Sequence, residues 1–525
     1  MGSLLPFDVQ WGICRGGSLS KKDLCSIARA SKSWHEVATP IIWESLQNLD
    51  PLIQFLDQGG SLDNLRPHKL VSNFYPTPYP ALTRLLENSE RIATNKGSWS
   101  TIYTHSSMIK RFNHELSHNS SAGTIHLCRF LIQYPPPYDL FPHLRFLSLR
   151  GHGTRHCDFS PLLVLLSPAV EVLHIPACLT RSTEGMIGLT GQSPNVNDLS
   201  LSMAQPPSLS QQVLLRESIA KLTHLNKITL DIYYDPAILL QISQKESLSS
   251  LTLEFNHFRC LPGGDAVLAC PMASLPQLEK LTLGGLRVDE SIALIRSWDM
   301  PRLQELTVGN LPCTPTLEEV KILVEYVCNC CGHNTLRVLA LDQRPELSEF
   351  ALIHEDLLPL ACFAHLTHLT IGVAYGPLMS DADYATLSSW WPNLVVLDLN
   401  ALFVHRTDDE ASEMPATLAT LHIFAHSCPH LQSLSLALSI DEIPAEDKGR
   451  VNASGSHPLR NLYLGSSPMH VDAIDIARYL KQLFPKLPMV GFYGDNAFDR
   501  AGFIDLESPW WSVRSAMLSI DRDGE

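Results

Sequence analysis

Leu144-Arg145-Phe146-Leu147-Ser148-Leu149 is the stretch whose reading decides the fold. Its leucines stand at positions one, four and six, and the spacing returns in Leu459-Arg460-Asn461-Leu462-Tyr463-Leu464. Between them, hexamers of this kind open at Val170, Val196, Leu225, Leu248, Leu278, Leu303, Leu336, Leu366, Leu394 and Leu431. A weaker thirteenth opens at Leu487 and continues with Val490 and Phe492. The steps from 144 to 487 average about 29 residues. The end of each hexamer alternates with period two, as in Leu281-Thr282-Leu283. That alternation puts leucines on one face of a short strand and the intervening residues on the other. One such unit cannot bury its own leucines. Stacking neighbours does, with parallel strands along one wall and a continuous core behind them. Arrays of this kind ordinarily bind rather than catalyse.

Helix-forming segments lie between the hexamers. Leu317 to Val327 has apolar residues at 320, 323, 324 and 327, which is helical spacing. Such helices belong on the convex wall. They take more room than packed strands, so the array is expected to curve into a horseshoe with its strands inside. The steps are uneven: 225 to 248 spans 23 residues and 394 to 431 spans 37. Residues 400–417, with Thr407-Asp408-Asp409-Glu410, are therefore expected to protrude as a rim loop. Pro168, Pro194, Pro276, Pro301, Pro392, Pro429 and Pro458 stand one or two residues ahead of the hexamers. Proline there stops a helix and sets an extended approach to the strand.

The strand residues between the last two apolar positions define the concave face. They read Ser148, His174, Ser200, Thr229, Thr252, Thr282, Thr307, Ala340, Thr370, Asp398, Ser435 and Tyr463. Most are Ser or Thr. The simpler reading is β-propensity on a water-facing sheet. The functional reading is a hydrogen-bonding wall for a target protein. In it, His368, Thr370, Asp398, Ser433, Ser435, Asn461 and Tyr463 form a C-terminal target-binding patch.

Composition narrows the rest. A chain of 525 residues with 45% hydrophobic and 18% charged residues is long enough for more than one core and is not disordered. The net charge of −15, without a Lys/Arg block, argues against nucleic acid as a partner. Thirteen scattered cysteines suit a reducing compartment. The first eight residues have no basic start and no sustained apolar run, so no signal peptide is expected. Pro6 occupies the Ser/Thr slot of a myristoylation motif. No uninterrupted apolar stretch of about 18 residues exists, so no membrane span is expected. The expected location is cytoplasm, nucleus or both.

The N-terminal segment has another character. From Asp23 to Ala38, apolar residues at 24, 27, 30, 34, 37 and 38 have helical spacing. Ser20 and Asp23 suit its N-cap and first turn. Pro40 is expected to end this helix, and Trp43 and Leu46 to start another. Ahead of it, Gly12, Gly16 and Gly17 interrupt the helix expected after Leu5-Pro6. Residues 57–80 read as a linker or irregular cap, and 81–134 as mixed helix and loop. Pro135-Pro136-Pro137-Tyr138 fits a WW-domain ligand, but a rigid lead-in to the array is the simpler reading. Trp510 and Trp511 are expected to cover the last repeat.

The repeat period resembles that of leucine-rich repeats. Asp23-Leu24, Ile27, Ala30, Lys32, Trp34, Val37-Ala38, Pro40, Trp43 and Leu46 resemble, in order and spacing, the second half of an F-box. Together they resemble F-box proteins with leucine-rich repeats of fungal type, which are substrate receptors of cullin-RING ubiquitin ligases. The resemblance implies an α/β solenoid behind a small all-α module. The organisation would be a module at 1–50, a linker and N-terminal cap at 51–140, 12 to 13 repeats at 141–492, and a C-terminal cap and tail at 493–525. It also implies that Leu24, Ile27, Ala30, Trp34, Val37, Pro40, Trp43 and Leu46 carry the module's fold or its contact with the ligase adaptor. The repeats would hold the target. In the other reading the segment is only a helical cap, on a repeat scaffold or inhibitor with no ubiquitin role.

Two motifs suggest chemistry. His114-Glu115-Leu116-Ser117-His118 fits the zincin pattern. On a helix, its two histidines would share a face, bind zinc and leave Glu115 as general base. The metzincin continuation is absent, with Ser121 and Thr124 in its slots, so a zinc hydrolase is the remote alternative. Cys328-x-Cys330-Cys331-x-His333 is crowded for a metal and lacks a second pair. Packing at a helix end just before Leu336 explains it better. Cys428-Pro429-His430-Leu431 has the same placement and resembles the cysteine-containing class of leucine-rich repeat. No Walker loop, nucleophile elbow or Rossmann glycine set occurs. Neither catalytic residues nor a cofactor are expected.

Overall fold

The computed structural model describes residues 5–52, 96–115, 122–136, 139–150, 160–176, 193–203, 208–233, 235–255, 272–309, 315–342, 351–372, 377–399, 416–444, 457–464, 467, 469–491 and 510–523. The chain divides into two units, 1–247 and 248–525. The 57–80 linker, the rim segment with Thr407–Glu410, Tyr138 and His118 lie outside the described residues.

The first unit begins with helices α1 (Phe7–Arg15), α2 (Lys21–Ala28) and α3 (Lys32–Glu44). Strand β1 (Ser45–Leu46), α4 (Lys96–Ser106), β2 (Arg111–Glu115), α5 (Ala122–Gln133) and β3 (Phe146–Arg150) follow. Then come a 3₁₀ turn (Ser160–Leu165), β4 (Val172–Ile175), β5 (Asp198–Ser202), α6 (Leu209–Lys221), β6 (Lys227–Asp231) and α7 (Pro236–Ser243). From β1 to β6 each strand pairs in parallel with the next.

In the second unit the sheet runs through β7 (Ser250–Glu254), β9 (Lys280–Gly284), β11 (Glu305–Gly309), β12 (Val338–Asp342), β13 (His368–Ile371), β14 (Val396–Asp398), β15 (Ser433–Ser435), β16 (Asn461–Tyr463) and β17 (Val490–Gly491). All neighbours are parallel. A separate pair joins β8 (Ala273–Ser274) to β10 (Trp298–Asp299). The intervening helical elements are α8 (Val288–Ser297), α9 (Leu317–Cys330), and α10 (His354–Leu357) running into a 3₁₀ turn (Leu358–Cys362). They continue with α11 (Asp381–Trp390), α12 (Ala419–Ser427), α13 (Ala473–Leu483) and α14 (Trp510–Asp523). Successive elements pack together: α8 on α9, α9 on the turn, α11 on α12, α13 on α14.

The leucine spacing becomes register. Leu147, Leu173, Leu199 and Ile228 align across β3 to β6. Leu251, Leu281, Leu306, Leu339, Leu369, Leu397, Leu434 and Leu462 align across β7 to β16. None of these residues is more than 2% exposed. At about 1.5–3 kcal/mol for each fully buried aliphatic side chain, this column contributes substantially to stability. Caps then set the helix starts. Ser20, Ser208, Thr316 and Ser380 each accept a hydrogen bond from the amide three residues on and are answered by that residue's side chain. Both units are thus α/β solenoids of leucine-rich-repeat type.

Five expectations about the N-terminal part need correction. The parallel sheet starts at Ser45, well ahead of residue 141. Its first strands lack the leucine hexamer because Phe112 and His114 fill the inward positions of β2. The helix expected over 23–38 is two helices, because Ser31 accepts a hydrogen bond from the Trp34 amide and starts α3 afresh. Pro40 lies inside α3, whose buried Val37, Ala38 and Trp43 hold it together across the break. Leu46, rather than opening another helix, belongs to β1. Finally, the glycines do not abolish the first helix. A Cβ at Gly12 would touch nothing, so that position costs α1 only propensity, about 1 kcal/mol against Ala. Gly16 caps α1, and Gly17, at φ +77°, turns the chain away.

Candidate functional site

The three N-terminal helices enclose a small core of Cys14, Leu24, Val37 and Ala38. Trp11, Leu19, Ile27, Trp34, Ile41 and Ile42 pack around it. Ser33 Oγ donates to the buried Gln10 Oε1 at 2.8 Å, tying α1 to α3. Lys21 Nζ donates to the Ser45 carbonyl, fastening α2 to the first strand, and burial lowers the pKa of that ammonium group. Trp43 packs on His105 of α4 with ring centroids 4.8 Å apart.

This arrangement sorts the eight residues singled out from sequence. Leu24, Val37, Trp43 and Leu46 are buried and so hold the interior. Ile27, Trp34 and Pro40 are half-buried, and Ala30 is exposed. The exposed apolar surface is elsewhere, on the segment leading into α1 and on α1 itself. Leu5, Phe7, Val9 and Ile13 are 48%, 56%, 45% and 45% exposed. At 3.6 residues per turn, Val9, Gly12, Ile13 and Gly16 share the face opposite Gln10 and Cys14. The glycines make that face flat. Sequence reading missed it by treating the glycines as breakers; the sign was the apolar spacing at 5, 9 and 13.

The second surface is the outer face of the second unit's sheet. Thr370, Asp398, Ser435 and Tyr463 align strand to strand. His368, Val396, Ser433 and Asn461 form the row beside them. With strands about 4.8 Å apart, all seven residues named from sequence fall in one two-row patch about 15 Å long. Val396 completes it and was not foreseen. Ser435 is only 7% exposed, so it lines the floor. Thr367 Oγ1 lies 2.9 Å from His368 Nδ1. Burial lowers the His368 pKa against a weaker opposing effect of Glu305, favouring a neutral ring near pH 7. The rows extend through Thr252, Thr282, Thr307 and Ala340, and through Ser250, Lys280, Glu305 and Val338. Lys280 and Glu305 form an ion pair there.

The zincin reading is overturned. His114 and Glu115 lie on a strand, where consecutive side chains point to opposite faces. His114 is 1% exposed, its Nδ1–H donates to the Gln47 carbonyl at 2.7 Å, and burial lowers its pKa. Cys331 and Cys428 are buried, in keeping with packing before a repeat. Among the described residues, no group of three or more His, Cys, Asp or Glu is arranged to hold a metal ion. Among them too, no helix is long and apolar enough to cross a membrane.

No family model matches the sequence, and no curated protein does. Solved structures are similar at low identity. A leucine-rich-repeat protein of Leptospira interrogans matches over 85% of this chain and 99% of its own, at 14% identity and a TM-score of 0.35. A structure of the Rad7 and Elc1 complex in yeast matches over 84% of this chain and 97% of its own, at 15% identity and a TM-score of 0.31. A structure of the Toll–Spatzle complex from Drosophila matches over 74% of this chain and 52% of its own, at 13% identity and a TM-score of 0.30.

Proposed function

We propose that this chain is a non-catalytic substrate receptor of a cullin-RING ubiquitin ligase, its N-terminal module docking on the adaptor and its repeats holding a target protein. The observation that carries the reading is the exposed Leu5, Val9 and Ile13 surface on a module that already has its own core. Flat apolar patches supply much of the energy of protein–protein contacts. The target would lie on the patch from His368 to Tyr463. Such a receptor needs no chemistry of its own. Holding a target beside a charged ubiquitin carrier raises its effective concentration.

A repeat scaffold without ubiquitin function is the second reading. The Lys21–Ser45 hydrogen bond and the Trp43–His105 packing favour it, because they make the module a cap on the first strand. Co-purification separates the two. Full-length chain is expected to retain the adaptor, and Val9→Asp/Ile13→Asp, on the exposed face, to lose it without changing the melting temperature. An adaptor that fails to bind the parent chain, or binds this variant equally well, rules out the receptor reading.

A further inference from the structure

A buried backbone amide needs a partner, and the amide that opens each leucine hexamer is buried with its side chain. At Leu144, Val170, Leu278, Leu303, Leu366, Leu394, Leu431 and Leu487 it donates to the backbone carbonyl three residues back. Leu459, fully buried, departs from this pattern: its amide donates to Nδ1 of His457 at 3.3 Å. The other ring nitrogen, Nε2, lies 3.2 Å from the carbonyl of Cys428, at the end of α12 in the preceding repeat. A carbonyl only accepts, so Nε2 carries a proton; an amide only donates, so Nδ1 carries none. The two contacts thus fix a neutral ring in one tautomer. The half-buried ring also meets Phe484 edge-on, with centroids 5.1 Å apart. In the first unit a comparable link between repeats is made by Ser193 Oγ, which donates to the Ser167 carbonyl at 3.0 Å and does not titrate.

We propose that His457 is a proton-operated latch between the repeats of β15 and β16. Neutral, it joins the Cys428 carbonyl to the Leu459 amide. A proton added at Nδ1 sets one N–H against another. The Cys428 bond survives, but the Leu459 bond is lost and a buried donor is left without a partner. The entry to β16 then loosens, and with it Asn461 and Tyr463 at the C-terminal end of the patch. Among the described residues, the titratable groups on the segments that hold the ring are His426, Cys428 and His430 at the end of α12, Lys481 and Lys486 at the end of α13, and Arg460 beside Leu459. None is an acid, and Asp475 in the first turn of α13 pairs with Arg478. Burial lowers the pKa of the ring against a weaker opposing pull from the Cys428 carbonyl. The latch is therefore closed near pH 7 and opens as pH falls below the ordinary histidine value of about 6.5. Its effect on a bound target rests on reading the patch as the target site; the latch itself does not.

The test is hydrogen–deuterium exchange of the full-length chain at about pH 7.5 and about pH 5, corrected for the intrinsic pH dependence of exchange and read by mass spectrometry. It follows the peptide from Leu459 to Leu464 and, as reference, the peptide from Leu394 to Leu399, whose opening amide uses the Trp391 carbonyl. Protection of the first is expected to fall at least about fivefold on acidification, while the reference stays within about twofold. His457→Asn offers Oδ1 in place of Nδ1 and does not titrate, so its Leu459 peptide should stay protected at both pH values. His457→Ala should show the parent's acid-level protection already at about pH 7.5. The parent's two peptides decide the matter even where a variant fails to fold. Unchanged protection of the Leu459 peptide in the parent, an equal fall in the reference, a fall in His457→Asn as large as the parent's, or full protection in His457→Ala overturns the proposal. A latch that opens in a chain that fails to retain the adaptor stands, and only the receptor reading falls.

Discussion

The outer sheet faces of the two units share one backbone pattern and differ in chemistry. In the first unit, Asp198 lies 3.8 Å from His174 and 3.3 Å from Lys227. Ser202 donates to Asp231 at 2.6 Å, and Arg111 sits over Phe146, which meets His174 edge-on. Burial pushes the Asp198 carboxyl up, but the nearby His174 imidazole and the Lys227 charge and hydrogen bond outweigh it and hold its pKa below the ordinary value. That face carries charged groups set against one another. In the second unit the row through Thr252, Thr282, Thr307, Ala340 and Thr370 carries hydroxyls and methyls. A leucine column specifies the core and leaves the outward positions open. One stretch of them has been used for internal pairing. Another carries a row of hydroxyls and methyls, with one ion pair, Lys280–Glu305, in the row beside it.

The comparison can be broken or sharpened by substitution. The largest effect belongs to what the units share: Leu199→Ala in β5 and Leu369→Ala in β13 should each cost about 2–5 kcal/mol in urea unfolding. Clearly unequal costs would show that the two cores are not equivalent. A smaller loss should separate the faces. Asp198→Asn should cost about 1 kcal/mol, because its partners are partly open to water, while Thr370→Ser stays within about 0.5 kcal/mol. Equal losses would erase the distinction between the two faces.

The smallest effects come from pH, and they fall in separate windows. The folded pKa of Asp198 lies below its unfolded value of about 3.9, so its contribution is complete above that pH and is lost as pH falls through the folded value. His368 is also depressed, but for a histidine this means that the unfolded chain takes up the proton first. Stability therefore falls as pH drops from about 6.5 toward the folded pKa. Burial depresses His114 and His457 in the same direction, so His368→Gln should remove only its own share. Urea midpoints from about pH 8 to about pH 5 should fall less in His368→Gln than in the parent, while Asp198→Asn leaves that range unchanged.

Legibility followed signal strength. Wherever Leu-x-x-Leu-x-Leu was intact, strand, face and neighbour were readable, and the patch from His368 to Tyr463 follows from position alone. Where Phe112 and His114 replace the leucines, β2 could not be seen, and a helical zinc motif was read in its place. The apolar spacing through Ala30 and Trp34 ran on across the break before α3, hiding a cap that Ser31 makes. In α1 the glycines masked the exposed apolar face.

By itself the sequence determined the period, the side of each strand that is buried, and the order in which strands are laid down, since these depend on spacings within one repeat. Only the tertiary structure decided which residues became neighbours across elements: Lys21 with Ser45, Asp198 with Lys227, Cys328 with Pro359. It also decided which apolar side chains of the N-terminal helices were buried and which were left in water. The physical reason is that periodicity encodes the phase of a side chain along its own element. Its partners depend on how neighbouring elements stack, and on a small module some apolar residues remain outside the core whatever their spacing.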